Sequence, residues 1–130
     1  MMLFSNERTI RERPEALVKF LRGWLRGHVW AYQNINEATK LVLKHRPDRD
    51  MLEAAKFKMI LAENRSEEAR QRGFGVMTDE KWQKSMEVLV KAGIMDKPLN
   101  VREVYTNELV ERAQESREFA RLLFAGPPRD

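Results

Sequence analysis

Cysteine is missing from this sequence, which excludes disulfides, thiolate metal sites and cysteine nucleophiles but leaves the compartment open. Histidine is scarce: His28 and His45 are the two present. Neither has a second histidine or cysteine three or four positions away, so no zinc site is expected. Six glycines and five prolines sit mostly at apparent element boundaries, and no low-complexity run or long-period repeat is visible. No stretch alternates polar and apolar residues with period two outside helical patterns, which excludes a half-buried strand. The N-terminal MMLFSNERTIRERP has only four apolar residues before its charges, too few for a signal-peptide core, so the chain as written is expected to be cytoplasmic. The charge is mixed: 24 basic and 20 acidic residues, net +4. Their interspersion reads as a solvated surface, with no specific nucleic-acid footprint.

What is present is helix. From Pro14 to Gln33 runs the longest and most apolar helical pattern. At 100° per residue, Leu17, Val18, Phe20, Leu21, Trp24, Leu25, His28, Val29, Ala31 and Tyr32 cover about half of the circumference. An arc that wide needs partners on more than one side, which makes this the central helix. Lys19, Arg22, Arg26 and Gln33 on the opposite face argue against a membrane span. Gly23 and Gly27 lie at one edge of the arc and predict close approach of another backbone.

Helix punctuation organises the rest. Asn6 or Ser5 caps a short helix over Glu7–Glu12, and Pro14 opens the central one. Asn34-Ile35-Asn36-Glu37 reads as a capping box for a helix closing at His45-Arg46-Pro47. Asp48 or Asp50 starts a further helix to about Asn64. Ser66–Arg72 is a short charged helix stopped by Gly73, followed by a packed-down loop, Gly73–Met77. Thr78 caps a helix carrying Trp82, Met86, Leu89 and Val90, ended by Gly93 with Ile94 folding back. A second Asn-x-x-Glu box at Asn100 opens one or two turns, and Thr106 caps a last helix over Glu108–Ala125 with Val110, Ala113, Ser116, Phe119, Ala120, Leu123 and Phe124 on one stripe. The expected fold is all-α: one helical domain, residues 1–130, forming a bundle of five to seven helices.

Little here resembles catalytic machinery. No nucleophile stands beside a base, and His28, walled by Leu17, Leu21, Trp24 and Leu25, reads as a buried neutral histidine. No catalytic residue, metal ligand or cofactor is assigned, ligand-binding residues stay unassigned, and the chain is not expected to be an enzyme. Trp30 projects into the polar side of the central helix, where it serves either as packing for a neighbouring element or as an interface contact. Together with Phe119, Leu123 and Phe124 it makes up the interface expected for a homodimer.

The segments RPEALVKFLRGWLRGHVWAYQNINEATKLVLKHRP, GFGVMTDEKWQKSMEVLVKAGIMDKPL and VYTNEL, in that order, resemble the C-terminal part of ABC-transporter solute-binding proteins of the thiamine-pyrimidine-precursor, alkanesulfonate, taurine and nitrate class. Pro14-Glu15 with Phe20 looks like the family's helix start, Gly27 and Ala31 like its glycine and alanine four apart, and Glu37-Ala38 like the opening of its next helix. Gly73–Met77 is similar to its glycine-punctuated loop, Trp82 to its helix-start tryptophan, and Thr106-Asn107-Glu108-Leu109 to its closing turn. The likeness covers about residues 9–110, with 111–125 as an extra helix. It implies the helical end of a two-lobed periplasmic-binding-protein fold, a periplasmic setting, and a small-molecule ligand and an ABC permease as the whole protein's partners. This chain would bind little ligand alone. The other reading is a free-standing, self-associating helical module with weak polyanion binding. The related pyrimidine synthase uses a cysteine-rich segment that is absent here.

Overall fold

The computed structural model describes residues 3–46, 48, 56 and 65–126. Among them the chain is all-α, as expected, with eight helices and no strand. In order these are α1 Glu7–Glu12, α2 Pro14–Gln33, α3 Ile35–His45, α4 Glu67–Arg72, α5 Asp79–Lys91, α6 Val101–Val104, α7 Glu108–Glu111 and α8 Glu115–Ala125. The helix expected from Asp48 or Asp50 to about Asn64 lies outside the described residues. No helix among the described residues is long and apolar enough to cross a membrane.

Four of the eight helices start at a side-chain cap. Asn6 accepts from Thr9 N at 2.8 Å, Ser66 from Ala69 N at 3.2 Å and Thr78 from Lys81 N at 3.4 Å, each satisfying a backbone donor that the first helical turn leaves free. Pro14 occupies the first turn of α2, where its missing N–H costs nothing. Asn34 departs from expectation. It makes no side-chain cap to α3; its amide donates back to the Trp30 carbonyl at 2.9 Å. The junction is so short that closing α2 competes with opening α3, and closing α2 wins.

The core lies between α2 and α8. Leu25, Tyr32, Phe74, Ala113, Phe119, Ala120 and Leu123 form one buried cluster, with Leu21, Trp24, Val29 and Leu122 packed against it. Three contacts set the register: Glu15 pairs with Arg112, Arg22 and Arg26 with Glu115, and the Tyr32 hydroxyl donates to the Gly126 carbonyl at 2.7 Å. Positions rise together along both helices, so α2 and α8 run parallel. Val18, Leu25 and Tyr32 are buried, and Leu17, Leu21, Trp24, His28, Val29 and Ala31 are partly buried, so most of the expected arc is covered. Phe20, expected within that arc, is 58% exposed, and Gly23 and Gly27 have nothing within 4 Å of an added Cβ. Among the described residues no backbone approaches α2 there.

The last helix is divided where one continuous helix was expected. Ala113 N bonds Val110 O at 3.1 Å, Ser116 N bonds Ala113 O at 2.9 Å, and Arg117 N bonds Gln114 O at 3.1 Å, so Arg112–Gln114 is drawn into tight three-residue turns between α7 and α8. Tertiary contacts explain the break. Ala113 and Ser116 are each 1% exposed, and Ser116 is clamped to the glycine loop: its hydroxyl donates to Phe74 O at 2.7 Å while Phe74 N donates to Ser116 O at 3.0 Å. Gly73 makes this approach feasible. A Cβ there would collide with Ser116 Oγ, and its φ of +122° excludes most side chains.

Glu115 is the charge that the sequence pattern did not single out. It is 2% exposed, yet both of its oxygens accept from Arg22 Nε, at 3.0 and 3.1 Å, and Oε1 accepts from Arg26 Nε at 3.0 Å. Desolvation pushes this carboxyl up. Its own backbone N–H and the two guanidinium groups outweigh that, holding it below the ordinary 4.5. The bridge therefore stabilises the fold above that ordinary value and is lost as pH falls through the lower folded one. Removing both arginines (Arg22→Ala with Arg26→Ala) strands a buried carboxylate and is expected to cost about 3 kcal/mol. Glu115→Gln leaves two partly exposed arginines that turn to water, and costs less. Urea midpoints compare the two; a larger loss for Glu115→Gln would contradict the bridge.

Candidate functional site

Two places gather chemically distinctive side chains. The first is aromatic and closed. Trp24 and His28 rings lie 4.0 Å apart between centroids, Phe74 and Phe119 lie 4.7 Å apart edge to face, and Tyr32 meets Phe119 at 6.1 Å. Such tilted and edge-on pairs add packing energy. Phe74 and Phe119 are buried. His28 belongs to this packing, as expected. Its Nδ1–H donates to the Trp24 carbonyl at 3.0 Å, and burial lowers its pKa from 6.5 while that hydrogen bond partly restores it.

The second place is open and lies on the opposite side of the glycine loop. Thr78 launches α5, with Asp79 and Glu80 in the first turn, where acidic groups complement the positive helix end. Met86, one turn beyond the partly buried Trp82, is 3% exposed. At the far end Gly93, with φ +69°, forms a Schellman turn: Ile94 N bonds Leu89 O and Gly93 N bonds Val90 O, both at 3.0 Å. The apolar contact expected of Ile94 is absent; it is 74% exposed. Reversal alone is achieved there, by backbone hydrogen bonds.

The returning chain lies against α5. Asn100 accepts from Arg102 N at 3.2 Å and donates to Glu103 Oε1 at 3.0 Å, starting α6, and Val101 is 8% exposed. The base of this hairpin is locked twice. Trp82 and Tyr105 stack at 5.8 Å with an 11° tilt, and the Tyr105 hydroxyl donates to Asp79 Oδ1 at 2.6 Å. That hydrogen bond, ahead of partial burial and the Asp79 charge, raises the Tyr105 pKa and keeps the phenol protonated. Asn107 then ties the hairpin to the glycine loop, accepting from Met77 N at 2.9 Å and donating to Met77 O at 2.8 Å.

Between α5 and the returning segment is an open groove of about 500 Å³, within the ~300–1,000 Å³ of small-molecule sites. Met86, Pro98, Leu99 and Val101 supply apolar wall; Asp79, Gln83, Glu87 and Arg102 supply polar groups. Sequence reasoning left ligand-binding residues unassigned and missed this groove. The available signal was the polar pair Gln83 and Glu87, one turn apart beside the buried Met86. Of the expected interface residues, Phe119 and Leu123 are 0% exposed and fill the core, so their surface is already covered within the chain. Trp30 and Phe124 remain on the surface, 44% and 40% exposed. Among the described residues no cluster of His, Asp or Glu could hold a metal ion.

Comparison with known proteins corrects the resemblance drawn from the sequence. No protein-family model matches the chain, and no solved structure does. A curated relative does: riboflavin-binding protein RibY of Chloroflexus aurantiacus, 29% identical over 109 residues. The match takes in 81% of this chain and 31% of the relative, so the chain spans about a third of that protein's length. The relative is named for riboflavin. The expected assignment to the C-terminal part of an ABC-transporter solute-binding protein for a thiamine precursor, sulfonate, taurine or nitrate is overturned, and nothing found supports the self-associating module either. The motifs behind that expectation were helix starts, glycine turns and caps, which satisfy backbone groups and carry no ligand chemistry.

Because burial makes His28 harder to protonate in the folded chain, its contribution is intact above 6.5 and diminishes as pH falls below it. The urea midpoint should therefore drop between about pH 7.5 and about pH 5.5, and drop less in His28→Gln. Equal declines would place the imidazole in water.

Proposed function

We propose that this chain takes part in binding riboflavin, or a flavin sharing its ring system, as the helical part of a larger binding protein. The observation that carries this reading is the similarity to a riboflavin-binding protein across 81% of the chain. Binding without turnover is the role it supports. The α5–α6 groove suits the chemistry: a flavin presents a flat ring with one apolar end, one hydrogen-bonding end and a polyol tail, and the groove combines apolar wall with polar groups. A site open to solvent buries only part of such a ligand, so the chain alone should bind weakly, with most of the gain offset by association entropy.

Riboflavin fluorescence provides the test. Titrating riboflavin with the purified chain should give saturable quenching that lumiflavin competes away and thiamine does not. Absence of saturable quenching at the highest soluble protein concentration would overturn the proposal.

A further inference from the structure

Resting on the flavin reading, we propose that the α5–α6 groove recognises the imide edge of the flavin ring, with Arg102, Glu87 and Gln83 as the reading groups. That edge presents two carbonyl oxygens flanking an N–H: acceptor, donor, acceptor. Its complement is donor, acceptor, donor. The guanidinium of Arg102 donates, the carboxylate of Glu87 accepts, and the primary amide of Gln83 donates. Gln83 and Glu87 stand four apart on α5 and so share one helix face. Arg102 comes from the returning segment across the groove.

These three side chains are distinguished from their neighbours by what they do not do. Asp79 in the same groove is engaged by Tyr105, and Asn100 is engaged by its own cap. The side chains of Gln83, Glu87 and Arg102 make no hydrogen bond among the described residues. A ligand thus gains three hydrogen bonds, two of them charge-assisted, without breaking one inside the protein. Met86, Pro98, Leu99 and Val101 supply the apolar surface for the ring beside them. The Trp82–Tyr105 stack with its Asp79 bond ties the two walls together at their base, so the backbones that carry the three groups are joined before the ligand arrives.

An N3-methyl flavin separates this proposal from general flavin binding, because it keeps the ring and loses the single imide donor. Lumiflavin and 3-methyllumiflavin are titrated against the chain and against Glu87→Gln and Arg102→Met, with circular dichroism confirming that the variants fold. The N3-methyl compound should bind the native chain about tenfold more weakly than lumiflavin, and each variant should lose about tenfold for lumiflavin. Glu87→Gln should also narrow the gap between the two flavins. If lumiflavin binds but neither methylation nor either substitution changes its affinity, the groove assignment is wrong while the flavin reading stands. If neither flavin binds the native chain, both fall.

Discussion

The seating of α8 along α2 is the contact on which the rest depends. Burial of Phe119 and Leu123 against Leu25 and Tyr32 supplies the apolar drive, at roughly 1.5–3 kcal/mol for each large side chain fully covered. Burial alone does not choose a register. Polar partners along the same seam do: Arg112 on Glu15, Glu115 between Arg22 and Arg26, and Gly126 under Tyr32. A shift of one helical turn would leave Glu115 buried without its arginines, which is a far larger penalty than an imperfect apolar fit.

From that seam the structure extends to the groove through a short series of contacts. Seating α8 presents Ser116 to the glycine loop, which its two hydrogen bonds with Phe74 hold down and which Gly73 alone lets approach. The loop carries Met77, clasped by Asn107, and then delivers Thr78 as the cap of α5. The α5–α6 hairpin is thus mounted on the core at its base, and the groove lies out along it. Its walls are held by Asp79, Trp82 and Tyr105, while the groups assigned to the ligand stay uncommitted.

Local features were legible in the residues. Asn6, Pro14, Ser66, Thr78, Gly73 and Gly93 begin or end elements where their chemistry requires it, and the all-α class follows from helical spacing. What depended on distant contacts was not legible. The break at Arg112–Gln114 has no glycine or proline to announce it; it arises because Ser116 and Glu115 answer to Phe74, Arg22 and Arg26. Phe20 lies on the same helical arc as Leu25, yet no element among the described residues covers it. The groove was invisible because Arg102 meets Gln83 and Glu87 only after a glycine reversal and a return along α5. The family resemblance failed for a related reason: it followed helix punctuation, and ligand choice resides in side chains between the punctuation marks.

Backbone amide shifts of the isotopically labelled chain, recorded as riboflavin is added, test the account most directly. The account predicts saturable shifts concentrated over residues 79–87 and 99–102, with the buried α8 positions around Phe119 unmoved. Absence of saturable shifts, or shifts centred on the α2–α8 seam with the groove silent, would contradict it.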